Sequence, residues 1–402
     1  MSAFRLEITP ALARHMSYHK FANRPIRLLV LEGNYWVDQA CARAARAMGW
    51  QVQSVPVKMI GMMPRDMLKD LFEAIVTHQP DFVLSVNLSG MDVEGMLAHF
   101  LADLQVPHAT WFVDGPRAIM AGNTSSVTPY SVAMTWEPAY VPFLESCGFA
   151  DVFVAPLAVD ESLFLQAPFR NHIHPPTFVG DSMIYHAEKE WAIVRENEAL
   201  KTAVEEAFAS GRVDRAHFAE GVHAVLGEVA APLDDDALYH AERIFFIDGT
   251  RRLRRSLVET LAPEGLHVRG DVHWQSVTTQ WGEPLNYEDE LPAYYRDCPV
   301  NLNTTSVQMA TTVNQRVFDC PTAGGFLLTD EQAHLHDLFE VDLDIATYRT
   351  PEEAREKMQW FLAHPLSRKE FIERGQKRIL GEHTYTHRLK AIAARLKEHF
   401  SA

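Results

Sequence analysis

The sequence predicts an α/β protein made of two Rossmann-like, doubly wound domains. Three observations carry that expectation. The chain has 402 residues, more than one hydrophobic core usually supports. Its N-terminal part, 1–165, alternates apolar runs of strand length with helical stretches, the pattern of right-handed βαβ units on a parallel sheet. The stretch Val300–Asp330, VNLNTTSVQMATTVNQRVFDCPTAGGFLLTD, repeats that grammar as strand, polar loop, helix, glycine turn and strand.

In order, Ile26–Leu31 (IRLLVL) is a strand that turns at Glu32-Gly33-Asn34 into a helix over Trp36–Met48. Gln51–Val57 is the second strand, Pro64–His78 a helix with proline in its first turn, and Phe82–Val86 the third strand. Val93–Leu104 is helical, His108–Val113 and Val132–Trp136 are strands, Pro138–Cys147 is a helix and Val152–Ala155 a short strand. Leu157–Pro176, irregular and rich in proline and histidine, is expected to link the domains.

A second domain over 177–385 opens with the strand Thr177–Val179 and Gly180. Acidic helical stretches between Met183 and Ala262 break the alternation and predict a helical insertion that ends in the basic helix Thr250–Leu261. Strands over Leu266–Arg269 and before Gly282, and a helix over Glu290–Arg296, lead into the strand Pro299–Leu302. A helix from about Thr312 and a strand over Phe326–Leu328 follow. Helices are then expected at His334–Phe339, Pro351–His364, Ser367–Leu380 and His387–Phe400, with 386–402 free to cross back to the first domain.

Composition narrows the function. A net charge of −16 argues against nucleic-acid or anionic-membrane partners, which are bound by clustered Lys and Arg. Cys41, Cys147, Cys298 and Cys320 show no C-x-x-C spacing, which suits thiols in a reducing cytosol. No apolar run reaches the roughly 18 residues of a membrane span, and the N-terminus lacks a signal-peptide core. The expectation is a cytoplasmic protein.

In open parallel sheets, ligands sit at the carboxyl ends of strands and the amino ends of the following helices. Asn303, Thr305, Ser306, Asn314 and Arg316 would therefore face an anionic ligand. Arg316 offers a fixed fork of donors, or else pairs with Asp319 three residues on. Gly324-Gly325 is a helix-to-strand turn before it is a phosphate cradle. Gly33 and Asn34 are a plain turn or a cleft contact, and without G-x-G-x-x-G they make no dinucleotide site. Asp114, at the end of HATWFV, is a turn residue, a general base or an acceptor-binding carboxylate, with Asn87 as its neighbour. His273 and Trp274 weigh packing against nucleotide contact. Asp342-Leu343-Asp344 is expected to be a solvated loop, His383 to cap or pack the last helix, and Arg251, Arg252, Arg254 and Arg255 to form a charged helix face or else to meet donor phosphates or an acidic partner. No metal signature is present.

Two such domains facing a cleft suit a nucleotide-sugar glycosyltransferase of the GT-B kind. The chain resembles the CgeB-like family of these enzymes through FVLSVN (82–87), WFVDGP (111–116), GFADVFVAPLAVD (148–160) and Phe178-Val179-Gly180. Gly270-Asp271 with Trp274, NLNTTS to GGFLLTD, and His383-Thr384-Tyr385 with Arg388 complete the set. The resemblance implies a nucleotide-diphosphate sugar donor held by the second domain, Gly180 included, and an unidentified acceptor held by the first. It places Asp319 against the donor ribose, where glutamate is usual, and finds Thr311 where retaining members often carry a second glutamate. It calls for no cofactor beyond the donor substrate. Two alternatives stay open: a binding or scaffold protein without turnover, and a nucleotide-sugar epimerase. The insertion offers a homodimer or partner-protein contact, or a lid.

Overall fold

The computed structural model describes residues 6–22, 24–58, 64–165, 173–211, 218–229 and 235–400. The chain divides into two units, Met1–Pro156 with Tyr385–Ala402, and Leu157–Thr384. The change of unit falls at Leu157, the first residue of the expected linker. Val159 bridges Thr384, and the Ala158 carbonyl accepts from Gln315. Residues 166–172 of the expected linker lie outside the described residues.

The first unit holds six parallel strands: β1 Arg27–Glu32, β2 Gln51–Pro56, β3 Phe82–Val86, β4 His108–Phe112, β5 Ser131–Thr135 and β6 Asp151–Val154. Their order is β2-β1-β3-β4-β5-β6, so the strand order reverses between β1 and β3. β3, β4 and β5 are buried along their whole length, which is why they read as near-continuous apolar runs rather than as alternating ones. β2, on the edge, carries the polar residues Gln51, Gln53 and Ser54. The last helix, Tyr385–Phe400, belongs to this unit and buries Tyr385, Leu389, Ile392, Ala393 and Leu396. That spacing is one face of a helix. Tyr385 stands edge-on to Trp36 and Trp111, with ring centroids 6.2 and 6.0 Å away.

The second unit holds β7 Thr177–Val179, β8 His267–Arg269, β9 Trp281–Gly282, β10 Asn301–Asn303, β11 Leu327–Asp330 and β12 Ala346–Tyr348, all parallel in the order β12-β11-β10-β7-β8-β9. Here the order reverses between β7 and β10. Phe178, Val268, Leu302 and Leu328 of the strands pack with Val258, Leu261, Met358 and Phe361 of the helices. Between β7 and β8 the helices Ile184–Val194, Glu198–Ser210, Phe218–Gly227 and Asp235–Leu261 form the expected insertion. It has a core of its own, including Val194, Leu200, Val204, Phe218, Ala241, Ile244 and Phe245.

Several elements differ from the sequence expectation. The helix expected from Thr312 starts at Arg316 and ends at Thr322, because Asn314 and Gln315 are used in turns that lead into it. Thr250–Leu261 is only the end of a 27-residue helix that starts at Asp235. Pro138–Tyr140 is a 3₁₀ turn ahead of a shorter helix, Val141–Ser146. β12 follows the acidic loop and has no counterpart in the expected elements; three residues are too few to show a period. Among the described residues, no helix is long and apolar enough to cross a membrane.

Candidate functional site

The carboxyl ends of β7, β8, β10 and β11 bring one group of side chains together in the second unit. Asn303, the last residue of β10, is fully buried. Its Nδ2 donates to Thr329 Oγ1 at 2.8 Å, and its Oδ1 accepts from Asn314 Nδ2 at 2.9 Å and from Arg316 Nη1 at 3.2 Å. Arg316 thus starts its helix with the guanidinium turned back to the strand end, over the Phe178 ring at 5.9 Å. Gly180, just past β7, lies against it: a β-carbon there would stand 2.8 Å from Arg316 Nη2.

Arg254 arrives at the same place from the long helix. Among the four arginines of its run, Arg251 and Arg252 share Asp248 at 2.5 and 2.9 Å, and Arg255 takes Glu259 at 2.8 Å. Among the described residues Arg254 makes no ion pair. It is 9% exposed, its Nη1 donates to the Asp181 carbonyl at 2.6 Å, and its Nε has no partner. Burial, and then the charge of Arg316, pull its pKa down to about 9 against the attraction of Asp181, Asp271 and Asp330. The expected charged helix face therefore includes one arginine that points inward. The sequence held a signal for it on one side: Thr250 and Arg251 precede it by four and three residues, but Leu257 and Val258 follow at three and four, which turns Arg254 toward the apolar side.

The loops that frame these arginines are tied to each other. Asp271, after β8, accepts from the backbone N–H and the hydroxyl of Ser182, after β7, the latter at 2.8 Å. Trp274 is fully buried and donates to the Gly180 carbonyl at 2.8 Å, so it packs and does not offer a face to a ligand. His273 instead stacks on the exposed Tyr185, 5.8 Å between ring centroids.

Three of the expected donor residues are hydrogen-bonded to other side chains of the protein. The backbone N–H and hydroxyl of Thr305 donate to the buried carboxylate of Asp330, at 2.9 and 3.0 Å, which ties the loop after β10 to the end of β11. Ser306 shares a hydroxyl contact with Thr250 at 2.8 Å. Asp319 is 1% exposed and accepts from the Tyr287 hydroxyl at 2.8 Å and from Gln315 Nε2 at 2.7 Å. Burial raises its pKa well above the usual carboxylate range. It makes no ion pair with Arg316. The i, i+3 ion pair fails because the Arg316 side chain turns to Asn303.

In the first unit, the reversal of strand order lies between the ends of β1 and β3. Asn87 has a left-handed backbone, φ 51°. Its Nδ2 donates to Asp114 Oδ2 at 2.7 Å, and its Oδ1 accepts from the backbone N–H of Val113 at 2.9 Å. The exposed carboxylate of Asp114 is thereby held at the end of β4. Gly33 is required by contact: a β-carbon would meet Ser89 Oγ at 2.2 Å. Its N–H donates to Asp38 Oδ2 at 2.8 Å, and Asn34 beside it is exposed with φ 67°. Asp38, in the first turn of Trp36–Ala47, organises this turn and has its pKa raised to about 7, by burial first.

Two other expectations change. Asp344 is buried, not solvated, and binds Arg378 Nε at 3.2 Å and the Glu340 N–H at 3.1 Å. His383 packs on Phe318 and Phe339 with a ring nitrogen 3.0 Å from the Leu338 carbonyl. It follows the preceding helix, Pro365–Glu382, as its cap. Gly324, with φ 85°, and Gly325, whose β-carbon would meet the Tyr295 carbonyl at 2.6 Å, form a close-packed turn. Among the described residues no cluster of three His, Cys, Asp or Glu could hold a metal ion.

A family described as glycosyl transferase-like matches residues 251–394, a span that includes Arg254, Asp271, Asn303 and Arg316. No curated protein matches the chain. Among solved structures, sucrose-phosphate synthase from Thermosynechococcus elongatus is similar at 12% identity and a TM-score of 0.51, over 93% of this chain and 98% of that one. Anabaena HepE in complex with UDP is 10% identical, with a TM-score of 0.53 over 93% of this chain and 100% of that one. T4 phage BGT in complex with its UDP-glucose substrate is 10% identical, with a TM-score of 0.51 over 94% of this chain and 100% of that one. The two parallel six-stranded sheets with flanking helices are those of the GT-B glycosyltransferase fold.

Proposed function

We propose that the protein is a nucleotide-sugar-dependent glycosyltransferase of the CgeB-like type. It transfers a hexose from a nucleoside-diphosphate donor held in the second unit to an acceptor held by the first. The observation that supports this most is the pair Arg254 and Arg316, two guanidiniums without ion pairs among the described residues, beside Gly180 at the strand-order reversal. Side by side they repel each other, and a diphosphate is the complement of that charge. As the bond from the anomeric carbon to the diphosphate oxygen breaks, negative charge builds on the leaving group, and arginines already in place stabilise it. No resident metal enters this reading, because the arginines supply the cationic charge. Asp114, oriented by Asn87, takes the acceptor's proton. The four free cysteines fit a reducing compartment, and we place the protein in the cytoplasm.

The buried Asp319, satisfied by Tyr287 and Gln315 where the resemblance puts a ribose contact, supports one competing reading: a protein that keeps the fold and binds without turnover. The test is calorimetric titration with UDP, GDP, TDP and CMP, followed by incubation with the matching nucleotide sugars and analysis of products. The expected result is one nucleoside diphosphate bound by the wild type and by Asp114→Asn. Its release from the sugar should occur in the wild type and fall at least about a hundredfold in Asp114→Asn. Binding without release would favour the non-catalytic reading, and an altered sugar formed without acceptor would favour an epimerase.

A further inference from the structure

The insertion between β7 and β8 touches the arginine site at three points. Its first helix starts at Ile184, whose N–H donates to Ser182 Oγ at 3.1 Å, and that same hydroxyl is bonded to Asp271. Its last helix, Asp235–Leu261, spans the whole distance from the insertion core to the site. Near its start Ala241, Ile244 and Phe245 are fully buried in that core. There His240 and Arg243 meet the buried carboxylate of Glu190 on the first helix, each at 2.7 Å. Midway, Gly249 lies so close to Val307 that a β-carbon would stand 3.0 Å from Val307 Cγ2. Thr250 Oγ1 contacts Ser306 Oγ at 2.8 Å and accepts the Val307 N–H at 3.2 Å. One turn further on, the helix presents Arg254.

Val307 itself belongs to the insertion core, although it lies on the loop after β10. The insertion and the loop after Asn303 thus share packed residues, and a rigid helix joins them to the arginine. A helix hydrogen-bonds along its own backbone, so a constraint at Arg254 is felt at Thr250 and Gly249 without loss at intervening loops.

We propose that the insertion is a donor-linked positioning element: Gly249 and Thr250 set the helix against Ser306 and Val307 so that Arg254 reaches the diphosphate, and donor occupancy stabilises the insertion in return. This rests on the reading that a nucleoside diphosphate binds at Arg254 and Arg316. Linkage makes the effect mutual: whatever loosens the insertion weakens donor binding by the same free energy with which the donor tightens it. Thr250 is a positioning residue, acting on the ligand only through Arg254.

The experiment uses the full chain with UDP, GDP, TDP and inorganic pyrophosphate as probes. Hydrogen exchange is followed by mass spectrometry, and affinities are measured for the wild type, Thr250→Val, Thr250→Ser and Arg254→Met. Binding is expected to slow exchange in the helices Ile184–Val194 and Asp235–Leu261, beyond the strand ends themselves. Thr250→Val, which removes the contacts to Ser306 and Val307 without approaching the ligand, should weaken the tightest probe about fivefold, the equivalent of one hydrogen bond. Thr250→Ser should restore it. Slowed exchange confined to 180–182 and 303–316, or unchanged affinity in Thr250→Val alongside loss in Arg254→Met, overturns the proposal while leaving the donor site intact. Should Thr250→Val fail to fold, the exchange experiment on the wild type decides. If the wild type binds none of the probes, the donor reading falls and this proposal with it.

Discussion

Gly180 and Arg316 share one space: Arg316 Nη2 lies 2.8 Å from where a β-carbon on residue 180 would stand. The obstructing atom is the tip of a flexible side chain, so Gly180→Ala should displace the guanidinium with little strain on the backbone. The expected outcome is a Tm close to that of the wild type and an affinity for nucleoside diphosphate lowered about tenfold or more, the loss of one charge-assisted hydrogen bond. Calorimetry beside a thermal melt separates the two effects. A large fall in Tm would mean that the glycine serves the fold rather than the site.

Arg254 is a buried charge without an ionic partner, and such groups destabilise a fold unless something binds them. Arg254→Met should therefore keep or raise the Tm of the free protein and abolish the stabilisation that a nucleotide confers on the wild type. Its pKa, lowered to about 9 from the usual arginine value, adds a pH signature. Above pH 9 the folded protein has begun to release a proton that the unfolded chain still holds, so this group's contribution to stability rises with pH from there. Denaturant melts of wild type and variant between pH 8 and pH 10.5 should show the wild type gaining on the variant across that interval. Parallel curves would remove the buried charge from the account.

Asp319 predicts the opposite pattern. It is enclosed with Tyr287 and Gln315, so Asp319→Ala should destabilise the protein by about 1–3 kcal/mol through orphaned polar groups. Asp319→Asn should come closer to the wild type, since a neutral side chain suits the burial that raises the carboxyl's pKa. Neither variant, where folded, should change nucleotide affinity by more than about twofold, because the Asp319 carboxyl bonds Tyr287 and Gln315 rather than the Arg316 guanidinium. Selective loss of affinity in Asp319→Asn would restore the ribose contact that the resemblance implies.

Asp38 should leave a mark near neutral pH. Its pKa rises from 3.8 to about 7, chiefly by burial. Between those values the folded protein keeps a proton that the unfolded chain has lost, so stability falls as pH increases through that window and levels off above it. In Asp38→Asn that slope should flatten, provided the amide oxygen still accepts from Gly33. Urea melts at pH 4.5, 6 and 8 for both proteins test it, and an unchanged slope would assign the titration elsewhere.

Much of the scaffold was legible in the chain because buried parallel strands are short apolar runs and the helices between them are amphipathic. FVLSV, HATWF and RLLVLE each stand within a residue or two of where the pattern puts them. Elements without a period were not legible: the three residues of β12, and a helix start at Arg316 that depends on turns made by Asn314 and Gln315. At the site, Asn303, Asn314, Arg316 and Gly180 are indeed neighbours, since strand ends and the segments after them meet at one edge of a parallel sheet. Thr305, Ser306 and Asp319 sit in the same stretch of sequence yet turn to Asp330, Thr250 and Tyr287.

The sequence by itself determined the class of fold, the presence of an insertion and which strand ends carry polar residues, because each follows from local periodicity and from the chemistry of glycine and proline. Only the tertiary structure decided which polar groups are left for a ligand. Whether a carboxylate or a guanidinium is spent on a neighbour depends on residues far away in the chain, as Asp271 is on Ser182 and Asp330 on Thr305. Arg254 shows this most plainly. Its three companions in the run find carboxylates one helical turn away, while the fold carries Arg254 inward to the Asp181 carbonyl, 73 residues earlier in the chain.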